Sequence, residues 1–166
     1  PEILGHAAAL DQIDRRADAL RFVDKAFDSG AIVGERQRTA AELYFRLGRF
    51  DRAAELFSAL VENGGADGAI LNDLGGCHYK TGDYQRAEEW YRKAVESDQP
   101  PAIALRNLGL TRVRLDRTKE ALVALERYLE LAPDQMDIVH LVGALYARLG
   151  QDRTAIPFYE KCLQAN

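Results

Sequence analysis

The chain has 166 residues and a mass of 18.5 kDa, enough for one hydrophobic core and too little for two ordinary domains. Hydrophobic residues make up 47% and charged residues 29%, and no apolar run approaches the roughly 18 residues of a membrane span, so we expect no membrane insertion. The net charge of -4 argues against a surface that neutralises nucleic-acid phosphates.

A period of 34 residues runs through the sequence and decides how the helices are assigned. One place in the period holds a glycine or alanine, and a second place, twelve residues later, holds an alanine. Small residues at these places would let two paired helices approach closely. The first set is Ala41, Gly75, Gly109 and Gly143, and the second set is Ala53, Ala87, Ala121 and Ala155.

Residues 1–33 allow two interpretations. Residues 18–20 and 25–27 match the second helix of a repeat in phase with the later ones, whereas residues 14–16 make a poor turn and no glycine or proline interrupts residues 6–29. We favour a degenerate N-terminal repeat, and the alternative is one long capping helix. A helix that continues through Asp14 would support the alternative.

The remaining residues divide into four predicted units, each a pair of antiparallel helices. Apolar residues recur at helical spacing on both sides of a turn, which Gly48, Gly82, Asp116 and Gly150 mark in successive units. Together with residues 1–33 the units form one continuous repeat domain. The units span residues 34–67, 68–101, 102–135 and 136–166.

The second unit resembles the tetratricopeptide repeat (TPR) family on eleven residues of its two helices and turn. The resemblance implies an all-α fold, a right-handed superhelical α-solenoid of stacked antiparallel helix pairs. Later units depart from the family at Arg112, where an aromatic residue is usual, at Asp116 in place of the turn glycine, and at Pro157. The matching residues are Leu74, Gly75, Tyr79, Lys80, Gly82, Asp83, Tyr84, Ala87, Tyr91, Lys93 and Ala94.

The resemblance also implies a concave groove formed mainly by the first helix of each unit. Residues on one stripe of these helices point to the same side, because their spacing matches the helical repeat. From this stripe we select a set of candidate peptide-binding residues. They are Arg38, Arg46, Asn72, Tyr79, Lys80, Arg106, Asn107, Leu110, Arg114, His140 and Arg148.

Two features of the stripe suggest what the groove binds. Its last place is basic in all four units, at Arg46, Lys80, Arg114 and Arg148, which implies an acidic peptide or a chain terminus as ligand. The structural alternative is that these cations only interact with the helix dipoles. In the middle of the stripe, small or apolar residues lie beside amides, a combination that suits an extended or helical peptide segment.

The sequence carries no motif for catalysis, for a cofactor or for a metal ion. There is no phosphate loop, dinucleotide turn, His-Glu-x-x-His or Cys-x-x-Cys motif. His6, His78 and His140 are far apart in the repeat frame, and Cys77 and Cys162 fall on small apolar positions of different units. We therefore expect a protein that is not an enzyme and that has no cofactor or metal.

These observations predict a protein- or peptide-binding scaffold or adaptor. The alternative is a TPR segment of a larger protein, acting as the substrate-docking arm of an enzyme or as an assembly factor of a secretion or envelope complex. We expect no nucleic-acid partner, and apolar residues such as Ile156 and Leu163 suggest self-association through an uncapped C-terminal edge. Because two cysteines cannot make a secreted disulfide framework and arginine far outnumbers lysine, we expect a cytoplasmic protein of bacterial origin.

Overall fold

The computed structural model describes residues 2–165, apart from the side chains of Glu2 and Glu35. Within this range the chain forms ten α-helices and no strand, so the prediction of an all-α solenoid of stacked antiparallel helix pairs is confirmed. Successive helices pair as hairpins. They are α1 (Glu2–Gln12), α2 (Arg16–Asp28), α3 (Glu35–Arg46), α4 (Phe50–Glu62), α5 (Gly68–Lys80), α6 (Tyr84–Val95), α7 (Ala102–Arg114), α8 (Thr118–Leu131), α9 (Met136–Arg148) and α10 (Asp152–Gln164).

Every hairpin turns at one residue in the left-handed backbone region. The residue after it donates its amide to a carbonyl five positions back, as from Arg49 N to Tyr44 O at 2.9 Å, which closes the end of the first helix. Residues 1–33 contain the same turn, so α1 and α2 are separate helices. The turning residues lie 34 positions apart and are Asp14 (φ 59°), Gly48 (φ 78°), Gly82 (φ 84°), Asp116 (φ 60°) and Gly150 (φ 70°).

Within a pair, a small residue on the first helix lets a large residue of the second helix cross it. A Cβ atom at Gly75 would lie 2.8 Å from the Tyr91 ring, and one at Gly109 would lie 2.5 Å from the Leu125 side chain. Both distances are shorter than van der Waals contact, so only glycine allows these helices their present separation.

Between pairs, the core is built from residues that neighbouring hairpins share. One cluster of buried residues runs from Leu4 in α1 to Cys77 in α5. A second runs from Leu105 in α7 to Leu145 in α9. Of two smaller clusters, one contains Tyr91, and the other, around Ala94, shares packed residues with both large clusters. Such a core grows along the stack and leaves the outward stripe of the first helices free to form a surface.

Candidate peptide-binding groove

A cavity of about 330 Å³ opens on the first helices of three successive hairpins. Helices α3, α5 and α7 supply most of its wall, and one residue of α6 reaches it from behind. Its lining combines aromatic rings, amides, one carboxylate and two cations, which is the mixed character of a ligand-binding cleft. The lining residues are Phe45, Asn72, Asp73, Gly76, Tyr79, Lys80, Tyr91, Arg106, Asn107 and Leu110.

A chain of polar groups crosses this cavity from α7 to α5. Asn107 donates through Nδ2 to Oδ1 of Asn72 at 2.9 Å, and Asn72 donates through Nδ2 to Oδ1 of Asp73 at 3.2 Å. The two asparagines lie 35 residues apart and belong to equivalent faces of neighbouring hairpins. These two hydrogen bonds orient the amides, because each one fixes which side of an amide carries its oxygen and which its nitrogen.

Asp73 is the carboxylate of the cavity, and it is half-buried. Burial raises the pKa of Asp73, and the amide of Asn72 and the nearby Arg38 only partly oppose that effect, while the charge of Glu42 adds to it. An ionised Asp73 is therefore poorly compensated by its own surroundings.

Gly76 forms the floor of the cavity between two aromatic rings. A Cβ atom at this position would lie 3.2 Å from the Phe45 ring and 3.7 Å from the Tyr91 hydroxyl. The glycine thus keeps the space open and lets Tyr91, whose ring is otherwise buried, present its hydroxyl to the cavity.

The cations next to the cavity differ in whether they already form ion pairs or hydrogen bonds within the protein. Arg106 donates to Asp137 at 2.9 Å, and Arg114 donates through Nε to the Tyr79 hydroxyl at 3.4 Å. Lys80 is exposed, and within residues 2–165 its ammonium group makes no ion pair and no hydrogen bond. Lys80 and Arg114 are therefore the cations that this rim of the groove offers to a ligand.

Five of the eleven predicted groove residues do not line the cavity, namely Arg38, Arg46, Arg114, His140 and Arg148. Arg46 donates to Asp11 of the preceding hairpin at 3.0 Å, and Arg148 lies 3.3 Å from Asp116 of the preceding turn. His140 is exposed, and its ring contacts Tyr159 edge-on with 5.7 Å between centroids. The structure thus divides the predicted column of cations between intramolecular pairs at its ends and exposed groups at its centre.

Arg38 bridges two carboxylates on the acidic side of the groove. It donates to Glu42 at 3.1 Å and to Asp67 at 2.8 Å, and Asp67 also accepts the amide of Ile70 at the start of α5. Partial burial of Asp67 disfavours its charge, but the Ile70 amide and Arg38 outweigh this and hold the pKa of Asp67 below its usual value.

Six of the eleven predicted residues line the cavity, and four of its lining residues were not selected from the sequence. Phe45, Asp73 and Gly76 lie on the same stripe as the selected ones, so the helical period gave a signal for them. Tyr91 gave none, because it belongs to a second helix and occupies a packing position. The six shared residues are Asn72, Tyr79, Lys80, Arg106, Asn107 and Leu110.

Two further searches concern metals and membranes. Among the residues that the structure describes, no three His, Cys, Asp or Glu side chains come together in a way that could hold a metal ion. No helix in the same part of the chain has both the length and the apolar character to cross a bilayer.

Comparison with family profiles gives matches to one repeat family over most of the chain. A profile described as tetratricopeptide repeat matches residues 38–102, and a second profile of the same description matches residues 104–135 and 137–166. The prediction made from the motif of the second unit is confirmed.

Solved structures with this arrangement of helices include two proteins of the same architecture. MamA from Desulfovibrio magneticus RS-1 has a TM-score of 0.82 at 17% identity, with 98% of this chain and 92% of that chain covered. YrrB, described as a TPR protein with an unusual peptide-binding site, has a TM-score of 0.75 at 21% identity, with 98% and 84% covered. At these identities the likeness concerns the fold.

Curated relatives are much longer than this chain. Anaphase-promoting complex subunit 3 of Schizosaccharomyces pombe is 23% identical over 117 residues, which are 70% of this chain and 18% of that protein. The CTR9 homolog of Arabidopsis thaliana is 24% identical over 115 residues, which are 67% of this chain and 10% of that protein. The chain therefore spans a fifth or less of the length of the curated relatives it matches.

Proposed function

This chain belongs to the tetratricopeptide repeat family, and from that premise we propose that it is a scaffold that binds a peptide segment of another protein in the groove of α3, α5 and α7. TPR proteins bind other proteins or peptides, and scaffolds of this family are generally non-catalytic. The observation that carries the proposal is the cavity with its oriented pair of asparagines.

The asparagine pair suits a peptide backbone. An amide group offers two donors and one acceptor oxygen, so Asn72 and Asn107 retain hydrogen-bonding capacity after their mutual bond is made. Backbone N–H and C=O groups of a bound segment need such partners once water is displaced from the cavity. Leu110 and the aromatic rings supply the apolar surface for side chains.

The cationic rim adds a charge preference. Lys80 is exposed and Arg114 makes only a long hydrogen bond to a tyrosine, so both can contact an acidic residue of the peptide without breaking an ion pair. Arg46 and Arg148 would first have to leave Asp11 and Asp116. We propose that the acidic preference concerns Lys80 and Arg114 alone.

The comparison with YrrB supports peptide binding as the activity to test first, since that protein is described as having a peptide-binding site. A second candidate follows from the short coverage of the curated relatives. In that case the chain is a repeat segment of a larger protein, and the same groove docks a substrate or an assembly partner for it.

The test is selection of peptides from a random phage-displayed library on the immobilised full chain, followed by calorimetry with a selected peptide. We expect the double variant Asn72→Ala, Asn107→Ala to weaken binding about 30-fold, because two lost hydrogen bonds of roughly 1 kcal/mol each sum to about 2 kcal/mol. We also expect acidic residues to be enriched among the selected sequences.

The matched control is Gln85→Ala, Gln164→Ala, which removes two exposed amides on second helices. Peptides selected on the wild type should bind this variant with unchanged affinity. A library that yields no specific peptide, or a peptide that binds both double variants equally well, would remove the groove from the function.

A further inference from the structure

Aromatic residues form part of the lining of the cavity in the groove. Phe45, Tyr79 and Tyr91 line it, and Gly76 between them contributes no side chain. Within the described residues the Tyr91 hydroxyl makes no hydrogen bond, although it reaches the cavity. A space of this kind accepts a slender aliphatic chain that ends in a polar group, because the rings can cover the chain while the end group meets a partner.

The polar partner at the wall is the carboxylate of Asp73. A carboxylate has about four acceptor sites, and Asn72 fills one of them on Oδ1. No ion pair within residues 2–165 includes Asp73. The carboxylate is thus desolvated and under-compensated, a situation that a cation from a ligand would relieve.

The protein's own cations do not fill that role. Lys80 is seven residues from Asp73 on α5, which places its backbone about 10 Å away along the helix axis. Lys80 lines the same cavity, but within residues 2–165 it makes no ion pair with Asp73. Arg106 is held by Asp137, and Arg38 is shared between Glu42 and Asp67.

The groove therefore has two electrostatic halves. In the first half of α5, Arg38 pairs with Glu42 and Asp67, and Asp73 adds a third carboxylate without an ion pair, which leaves an excess of negative charge. Near the end of α5 and α7, Lys80 and Arg114 leave an excess of positive charge. The cavity spans both halves, with Asp73 toward the negative one and Lys80 toward the positive one.

Resting on the proposed peptide-binding function, we propose that this cavity takes the side chain of a lysine or arginine of the bound segment, with Asp73 as its anionic partner. The rings of Phe45 and Tyr79 pack on the aliphatic part of that side chain, and the Tyr91 hydroxyl offers it a further hydrogen-bond partner. The groove is thereby specific for a segment that carries both signs of charge, with its basic residue at Asp73 and its acidic residue at Lys80.

The first test uses small probes in place of an unknown peptide. n-Butylammonium, butyramide and butyrate are titrated into the ¹⁵N-labelled full chain, and the side-chain amide signals of Asn72 and Asn107 are followed by NMR. We expect the cation to shift both signals saturably and to bind about tenfold more tightly than the amide, with no response to the anion. An equal response to the three probes would overturn the proposal.

Variants then assign the effect to one carboxylate. Asp73→Asn keeps the size of the side chain and removes its charge, so we expect the preference for butylammonium over butyramide to disappear. Asp134→Asn removes an exposed carboxylate in the turn before α9 and should leave the preference intact. An unchanged preference in Asp73→Asn would contradict the assignment. The comparison of probes on the wild type decides the question independently if that variant does not fold.

Peptides selected on the groove separate this inference from the function on which it rests. Replacement of their lysine or arginine by norleucine should weaken binding about tenfold. Peptides that bind the groove without any basic residue would leave the scaffold function standing and overturn the cation pocket. Selectivity for butylammonium in a chain that selects no peptide would support the pocket and remove the peptide function.

Discussion

At the residue scale, the five hairpin turns show how one backbone conformation recurs with different amino acids. Gly48, Gly82 and Gly150 adopt positive φ without cost, whereas Asp14 and Asp116 adopt φ near 60° with a side chain attached. Aspartate tolerates this region better than most residues, which explains why the two turns form. The sequence around Asp14 lacks the glycine that marks a turn, so only the period argued for a break there.

We predict that Asp14→Gly stabilises the protein, because glycine relieves a left-handed conformation whose cost in other residues is about 1 kcal/mol or more. For a chain of this size the melting temperature should rise by about 2–4 °C per kcal/mol. Thermal unfolding followed by circular dichroism measures the change. Gly82→Ala, the opposite exchange at an equivalent turn, should lower the melting temperature. A fall for Asp14→Gly would mean that its turn is held by something other than backbone conformation.

Some residues of the candidate site could be predicted from the sequence and others could not. The stripe of α5 and α7 could be predicted, because the 34-residue period fixes which side each residue faces. The role of Tyr91 could not, because its position marks it as a packing residue, and its hydroxyl reaches the groove only through the gap at Gly76. The burial of Asp73 could not be predicted from the sequence either, because it depends on how the neighbouring helices pack.

At the element scale, the closeness of paired helices depends on a few positions without side chains. Leu125 is fully buried, so it has no free space into which it could retreat from a methyl group added at Gly109. Gly5 in α1 is the contrasting case, because a Cβ atom there would meet nothing within 4 Å. The same substitution therefore has opposite consequences in the two helices.

We predict that Gly109→Ala destabilises the protein by about 1–3 kcal/mol, the usual cost of overpacking a filled core, even though alanine is the better helix former. Gly5→Ala should stabilise the protein by about 0.5–1 kcal/mol, because it gains helix propensity without a clash. Urea unfolding of both variants gives the two free energies. If the two substitutions change stability with the same sign, the contact between α7 and Leu125 does not require glycine at position 109.

Contacts between neighbouring hairpins were beyond sequence analysis, although the helices themselves were not. Arg46 with Asp11 and Asn107 with Asn72 join residues 35 positions apart, and Arg106 with Asp137 joins residues 31 apart. The period brings such residues onto adjacent helices, but their pairing depends on side-chain conformations and on the rotation between hairpins. The column of cations predicted from the sequence therefore consists, in the structure, of some residues in ion pairs and others without one.

At the scale of the whole molecule, the first hairpin is continuous with the rest of the stack. Its residues Val23 and Ala26 belong to the same buried cluster as Tyr44 of α3. The Tyr44 hydroxyl donates to Asp24 at 2.8 Å, and its ring contacts Phe27 edge-on at 6.1 Å between centroids. We propose that residues 1–33 are the first repeat of the domain, on which the second repeat depends for its core.

In a solenoid each repeat is stabilised by its neighbours, so loss of one repeat should be felt most by the adjacent one. We predict that deletion of residues 1–33 lowers the free energy of unfolding by at least about 1.5–3 kcal/mol, because Tyr44, which is fully buried, becomes exposed. Amide hydrogen exchange should show the largest loss of protection in α3 and α4 and the smallest in α9 and α10.

The reciprocal variant is Val139→Ala, which opens a cavity in α9 at a position that is 1% exposed. It should reverse the pattern, with exchange increased first in α9 and α10 and least in α3 and α4. Equal protection of α3 and α4 in the deleted and complete chains would show that residues 1–33 are an appendage to a four-hairpin domain. Because α3 also carries Phe45 of the groove, a deletion that loosens α3 should weaken peptide binding, which connects the integrity of the first hairpin to the function of the groove.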